Sequence, residues 1–276
     1  MVELSRAHLN TLKRIVIKVG TSTLMYPTGA INLQRIEKLA FVLTDLKNQG
    51  KEVILVSSGA IGVGCHRLKL TERPTTIPQQ QAVAAVGQSE LMSLYSNFFN
   101  NYSQVVGQVL LTRDVIEFPE SRTNVTNTFN QLLAMDIIPI VNENDTVAVD
   151  ELEHQTKFGD NDSLSALVTE LTQADLLIML SDIDGFYDKN PTVHQDARLF
   201  SEINEITADL LSLAGGNGSK FGTGGMITKL NAAEHVLNQD SQMILANGAE
   251  PTIIFEIMHG ENIGTHFLKK KLRKPD

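Results

Sequence analysis

One cysteine, Cys65, is present among 276 residues. No intrachain disulfide can form, and a lone thiol in Gly64-Cys65-His66 reads as a small packing residue rather than a nucleophile, in a chain suited to a reducing compartment. Positive charge is also scarce. Lys and Arg number 23 against 32 Asp and Glu, giving a net charge of −9, which argues against nucleic acid as the main partner. The dense basic run Lys269-Lys270-Lys271-Leu272-Arg273-Lys274 reads as a solvated tail, 269–276. No apolar run approaches the ~20 residues that cross a bilayer. Met1-Val2-Glu3-Leu4-Ser5-Arg6 lacks the charged-then-apolar pattern of a secretion signal, so a cytoplasmic location without membrane association is expected. The seven histidines are scattered without metal-ligand spacing. There is no Ser-His-Asp or Cys-His arrangement, no G-x-x-x-x-G-K-[ST] loop, and no H-R-D or D-F-G set, so the P-loop and protein-kinase families are excluded.

What is present is a repeated pattern of strand ends. Ile137-Ile138-Pro139-Ile140-Val141 stops abruptly in Asn142-Glu143-Asn144-Asp145, as a buried parallel strand does where it opens into a loop. Gly159-Asp160-Asn161-Asp162 follows, and Ser163–Val168 then has helical apolar spacing, placing that turn at a helix start. Turn and cap chemistry accounts for part of this polar concentration, but three other strands end similarly. Arg14–Val19 runs into Gly20-Thr21-Ser22-Thr23. Val53–Val56 runs into Ser57-Ser58-Gly59-Ala60-Ile61-Gly62-Val63-Gly64. Leu176–Leu180 runs into Ser181-Asp182-Ile183-Asp184-Gly185. Lys18 interrupts the first run, either as an edge-strand protector or as a functional cation.

Between these strands the spacing predicts helices over Leu33–Leu46, 79–100, Asn124–Met135 and Met226–Leu237, with further strands at Val105–Leu111, Met243–Ala246 and Ile263–Phe267. Residues 1–12 read as a leading arm. The alternation predicts an α/β fold with a mostly parallel sheet covered on both faces. Ligands of such sheets bind beyond the carboxyl ends of the strands, so the four polar ends converge on one crevice. Lys229, in the first turn of its helix, opposes the helix dipole unless it serves an anion. Glycine-rich turns, two lysines placed against local preference and several carboxylates fit phosphoryl transfer, which needs positioning and charge stabilisation more than covalent chemistry.

Six stretches together resemble the amino acid kinase family: Lys18-Val19-Gly20-Thr21-Ser22, Ser57-Ser58-Gly59-Ala60-Ile61, Pro139–Asp145, Gly159–Asp162, Ser181–Gly185 and Gly222-Thr223-Gly224-Gly225-Met226-Ile227-Thr228-Lys229. The paired Asn-Glu-Asn-Asp and Gly-Asp-Asn-Asp segments resemble its glutamate-phosphorylating branch. The resemblance implies a three-layer αβα sandwich over 13–268, with a glutamate-binding N-terminal part and a nucleotide-binding C-terminal part. It also implies transfer of phosphate from ATP to the side-chain carboxylate of L-glutamate, the first step of proline synthesis. By the same resemblance, Lys18 and Lys229 flank the transferring group and Asp162 orients them. Ser58, Asp145 and Asn161 bind glutamate. Lys18, Gly20, Ser181, Asp182, Thr223, Gly224, Gly225, Met226, Ile227, Thr228 and Lys229 hold the nucleotide. For Asn142 and Asp160 two readings stay open: each either joins these groups or only shapes its turn. Mg2+ is expected to arrive on the ATP phosphates with no direct protein ligand.

Many family members carry Thr at the position of Ser181. Many relatives of this branch also continue into a C-terminal PUA domain, whereas the resemblance here covers the kinase domain alone. Proline feedback, homo-oligomerisation and hand-off to glutamyl phosphate reductase are family expectations. Two alternatives remain at this level: a kinase of the same fold acting on another small acid, such as acetylglutamate or carbamate, and a silent nucleotide or amino-acid sensor.

Overall fold

The computed structural model describes residues 6–112, 114–147, 161–214 and 225–269. Its centre is an eight-stranded sheet in the order β3-β4-β2-β1-β5-β7-β8-β6. The strands are β1 (Arg14–Val19), β2 (Glu52–Ser57), β3 (Val106–Leu111), β4 (Ile138–Glu143), β5 (Leu176–Ser181), β6 (Glu202–Ile203), β7 (Gln242–Asn247) and β8 (Thr265–Phe267). All neighbours pair in parallel except β7 and β8. The chain leaves β1 toward β2 on one side and later returns to place β5 on the other. That reversal is the position at which sheets of this kind open a crevice.

The longer helices are α1 (Leu33–Asn48), α2 (Ala60–Arg67), α3 (Ile77–Asn100), α4 (Pro119–Ala134), α5 (Asn161–Thr172) and α6 (Gly225–Asn238). Strand side chains alternate between faces, and the core divides accordingly. Ile15, Ile17 and Val19 of β1, with Leu176, Ile178 and Leu180 of β5, pack beneath Leu39 and Leu43 of α1 and Leu91 and Tyr95 of α3. Val16, Leu177 and Met179 face the other way, against Leu167 and Leu171 of α5 and Leu230 and Val236 of α6. Each fully buried Leu, Ile or Val is worth about 1.5–3 kcal/mol relative to exposure. The two apolar faces therefore hold the layers on the sheet. By the same alternation Lys18 shares the face of Val16, which turns it toward α5 and α6.

The differences from the sequence reading are local. Lys18 lies on a strand hydrogen-bonded to β2 and β5, so edge protection is removed as its explanation. β4 continues through Asn142 and Glu143 because β3 pairs with it along its whole length, Leu111 opposite Glu143. Pro139 is tolerated within β4 because the registered pairing with β2 begins at Ile140. α4 starts at Pro119, five positions before Asn124, with proline in the first turn where its missing N–H costs nothing. α5 starts at Asn161 rather than Ser163. Of the leading arm, Arg6–Thr11 forms a 3-10 helix with Leu9 buried. The short elements Glu202–Ile203, Ala208–Ala214 and Ile253–Met258 are too brief to register as periodicity.

Candidate active site

The polar ends of β1, β2, β4 and β5 stand side by side, and α5 closes them from the second face. Asp162, in the first turn of α5, is 1% exposed. Its Oδ1 accepts a short hydrogen bond from Lys18 Nζ, and its Oδ2 accepts from Lys229 Nζ at 3.0 Å and from Thr228 Oγ1 at 2.9 Å. Three elements distant in sequence thus meet on one carboxylate. Burial pushes the Asp162 carboxyl upward, but the charges of Lys18 and Lys229 and their hydrogen bonds outweigh it and hold the group below the usual carboxylate range. One carboxylate against a buried and a half-buried ammonium group leaves this cluster positively charged among the described residues. Such a charge away from water favours an anion beside it.

The local sequence explains how α5 brings a polar turn into the core. Ser165 Oγ donates to Asp162 O, Thr169 Oγ1 to Ser165 O and Thr172 Oγ1 to Val168 O. Each hydroxyl is satisfied along the helix itself, so the polar residues can be buried. A carboxylate in the first turn is also favoured by the helix dipole. On α6, Lys229 Nζ reaches back to Gly225 O at 3.0 Å, so the opposed dipole is met by a direct acceptor and by Asp162.

Asn161, next to Asp162, turns to a second group of residues. Its Nδ2 donates to Ser58 Oγ at 2.7 Å and to Asn142 Oδ1 at 3.3 Å. Asn142 Nδ2 donates in turn to Gln88 Oε1 of α3 at 2.8 Å. Asn142, Asp145 and Asn161 line a cavity of about 1020 Å³ together with Gly59, Ala60 and Ile61. Gly59 enters α2 with φ +99°, a left-handed conformation that favours glycine. The first turn of α5 therefore joins a cationic cluster on one side to a cavity of mixed polar and apolar lining on the other.

The remaining expected residues fall beside this centre. Gly20 precedes the short helix Thr21–Leu24, and a side chain there would begin 3.8 Å from Lys18 Nζ, so its backbone borders the ammonium group. Ser181 ends β5, where its Oγ donates to Asp182 Oδ1 at 3.0 Å and its carbonyl accepts from Gly248 N at 2.7 Å. Gly225, Met226 and Ile227 form the start of α6. Thr223, Gly224 and Asp160 lie outside the described residues. Asn142, which the sequence left between site residue and turn former, belongs to the hydrogen-bonded set. Gln88 was not anticipated. Its signal in the sequence is Gly87, an interior helix glycine that costs about 1 kcal/mol unless a close approach needs it.

The family model described as "Amino acid kinase family" matches residues 13–247. The chain belongs to the amino acid kinase family. Within that family it is similar to glutamate 5-kinase of Listeria monocytogenes, with 70% identity over 266 residues covering 96% of each chain. It is also similar to glutamate 5-kinase of Enterococcus faecalis, with 69% identity over 96% of this chain and 97% of that one. Among solved structures, carbamate kinase from Giardia lamblia bound to AMP-PNP superposes with a TM-score of 0.63 at 17% identity, covering 95% of this chain and all of that one. At such low identity this last likeness concerns the fold, and it bears out the layered, mostly parallel architecture of an amino acid kinase.

Proposed function

We propose that this chain transfers the γ-phosphoryl group of ATP to the side-chain carboxylate of L-glutamate, forming L-glutamyl 5-phosphate and ADP, the first step of proline biosynthesis. The observation that carries the mechanism is the Lys18–Asp162–Lys229 cluster next to a cavity to which Asn142, Asn161 and Asp145 contribute amide and carboxylate groups. The high identity to glutamate 5-kinases selects the acid. In the transfer, a glutamate carboxylate oxygen forms a bond to the γ-phosphorus while the bond from that phosphorus to the β–γ bridging oxygen breaks. The side-chain carboxyl has an ordinary pKa of ~4.3 and is already ionised at neutral pH, so no general base is required. The obstacle is repulsion between two anions. Lys18 and Lys229 remove it by placing ammonium groups at the transferring group, and Asp162 holds both lysines in place before substrate arrives. Preorganisation of this kind costs no rearrangement during the reaction.

Ser58, Asn161 and Asp145 read the α-carboxylate and α-ammonium of glutamate. Ser181, Asp182 and the start of α6, with Lys18 and Gly20, hold the nucleotide, together with Thr223 and Gly224. The divalent metal that accompanies ATP is read as Mg2+, carried on the nucleotide phosphates. This fits a site in which both oxygens of the central carboxylate already accept from lysines. When bound, the metal neutralises phosphate oxygens. Proline, which shares the α-carboxylate and a cationic nitrogen with glutamate, is read as a feedback inhibitor at the same groups. A homo-oligomeric, cytoplasmic enzyme that hands its labile product to glutamyl phosphate reductase completes this reading, on the strength of the family resemblance.

The test is Mg2+- and ATP-dependent product formation with L-glutamate, with hydroxylamine present to trap the acyl phosphate. Aspartate and N-acetylglutamate are run in parallel. Hydroxamate from glutamate alone supports the assignment, and turnover confined to another acid overturns it.

A further inference from the structure

We propose that Gln88 is a positioning residue that sets the polarity of the amide chain beneath the substrate, so that the cavity accepts an acid bearing a free α-ammonium group. The inference rests on the reading that this cavity holds glutamate.

Gln88 reaches the site because α2 and α3 cross unusually closely. A side chain on Gly87 would begin 1.8 Å from Ala60 O, and one on Gly64 would begin 2.1 Å from Val83 O. Only glycines fit such a crossing, and the residue after Gly87 is brought against the end of β4. There Gln88 Oε1 accepts from Asn142 Nδ2. The amide of Asn142 is thereby oriented, with its Oδ1 directed to Asn161 Nδ2. Asn161 Nδ2 also donates to Ser58 Oγ, so both of its amide protons are used. What Asn161 has left is Oδ1, which is buried and has no hydrogen-bond partner among the described residues. An unmet buried acceptor is costly unless something supplies a donor. Ser58, having accepted one bond, keeps its own proton to donate. The chain Gln88–Asn142–Asn161–Ser58 therefore ends in one acceptor and one donor, the pair required by an α-ammonium and an α-carboxylate.

The polarity depends on Gln88. If Asn142 turned over, its Nδ2 would face Asn161. Asn161 would then present Oδ1 to Asn142 and leave amide protons for the ligand, which is the wrong sign for an ammonium group. With Oε1 presented, as it is here, Gln88 holds the chain in the useful orientation, although neither Gln88 nor Ser58 lines the cavity itself.

Gln88→Met removes the acceptor at similar size, whereas Gln88→Glu retains it. Steady-state kinetics would give kcat and KM for glutamate and ATP, and glutarate, which is glutamate without its amino group, would be measured as a competitive inhibitor. We expect Gln88→Met to raise KM for glutamate about 10-fold, the loss of one hydrogen bond to a charged group, with kcat and KM for ATP at wild-type values and with glutarate, which has no ammonium group to lose, weakened less than glutamate. Gln88→Glu should restore the discrimination between glutamate and glutarate. Equal weakening of glutamate and glutarate in Gln88→Met would overturn the proposal, because a merely structural role affects both. So would loss of discrimination in Gln88→Glu as large as in Gln88→Met. A wild-type protein that neither binds nor phosphorylates glutamate would instead defeat the reading of the cavity, and the proposal with it.

Discussion

Asp162→Asn is the substitution that most sharply probes the charge balance of the site. The side chain is 1% exposed, and its two oxygens accept from Lys18 and Lys229, whose side chains are 8% and 12% exposed. Asparagine keeps the shape but can accept through only one of its two terminal atoms. One lysine then faces an amide N–H, and neither retains a counter-charge among the described residues. Breaking a buried pair by removing one partner costs about 3–5 kcal/mol. Because Asn preserves one acceptor and Thr228 can re-pair, the lower end, about 3 kcal/mol, is expected. For large single domains about 1 kcal/mol corresponds to a shift of about 2–4 °C, so the melting temperature should fall by roughly 6–12 °C. Thermal melts of both proteins, without and with ATP, give the answer. The anion should stabilise the variant more than the wild type, since it supplies the missing negative charge. The pH profile adds a second check. The folded-state pKa of Asp162 is lowered, so its contribution is complete above the unfolded value of ~3.9 and is lost only as pH falls below that toward the folded value. The wild-type advantage over Asp162→Asn should therefore be constant through neutral and mildly acidic pH. A variant melting with the wild type, and gaining no more from ATP, would refute this account of the cluster.

Gly87→Ala should destabilise the protein by about 1–3 kcal/mol, the usual cost of overpacking, and should raise KM for glutamate, because α2 and α3 must separate and carry Gln88 away from Asn142; urea melts and initial rates check this. His266 is buried, and its Nε2 donates to Gln242 Oε1 at 2.8 Å. Burial, with Arg6 and His8 nearby, pushes its pKa down from the ordinary 6.5 to about 3. Its contribution to stability is thus complete above about pH 6.5 and is lost progressively as pH falls toward 3. Denaturant midpoints should decline from pH 7 to pH 5, and His266→Gln should flatten that decline.

Much of the site was legible in the sequence because four strands end in polar residues, and a parallel sheet gathers such ends without further information. Lys18, Ser58, Asn161 and Asp162 each stand at or beside the end of a strand or helix, and Lys229 lies one turn into its helix, so the topology brings them toward one another. The pairing of both lysines with a single carboxylate was implied by the family resemblance and is realised in the geometry. Gln88 was not legible. It sits inside a long amphipathic helix, and its role arises from a glycine-mediated crossing whose partner, Gly64, lies on a different helix. Asn142 could not be separated from turn chemistry, because an Asn after an apolar run often serves a turn. Only the added pairing with β3 keeps it in the strand and aims its amide at Asn161. The antiparallel β8 was equally hidden, since three residues carry no directional signal.

The central claim is that the buried cluster performs the phosphoryl transfer, and Lys229→Ala tests it most directly. Hydroxamate formation from ATP and L-glutamate would be measured on the purified variant alongside its melting temperature. Loss of a transition-state charge contact predicts turnover reduced by at least ~100-fold in a protein that remains folded. A folded Lys229→Ala enzyme that forms glutamyl hydroxamate at the wild-type rate would contradict the account.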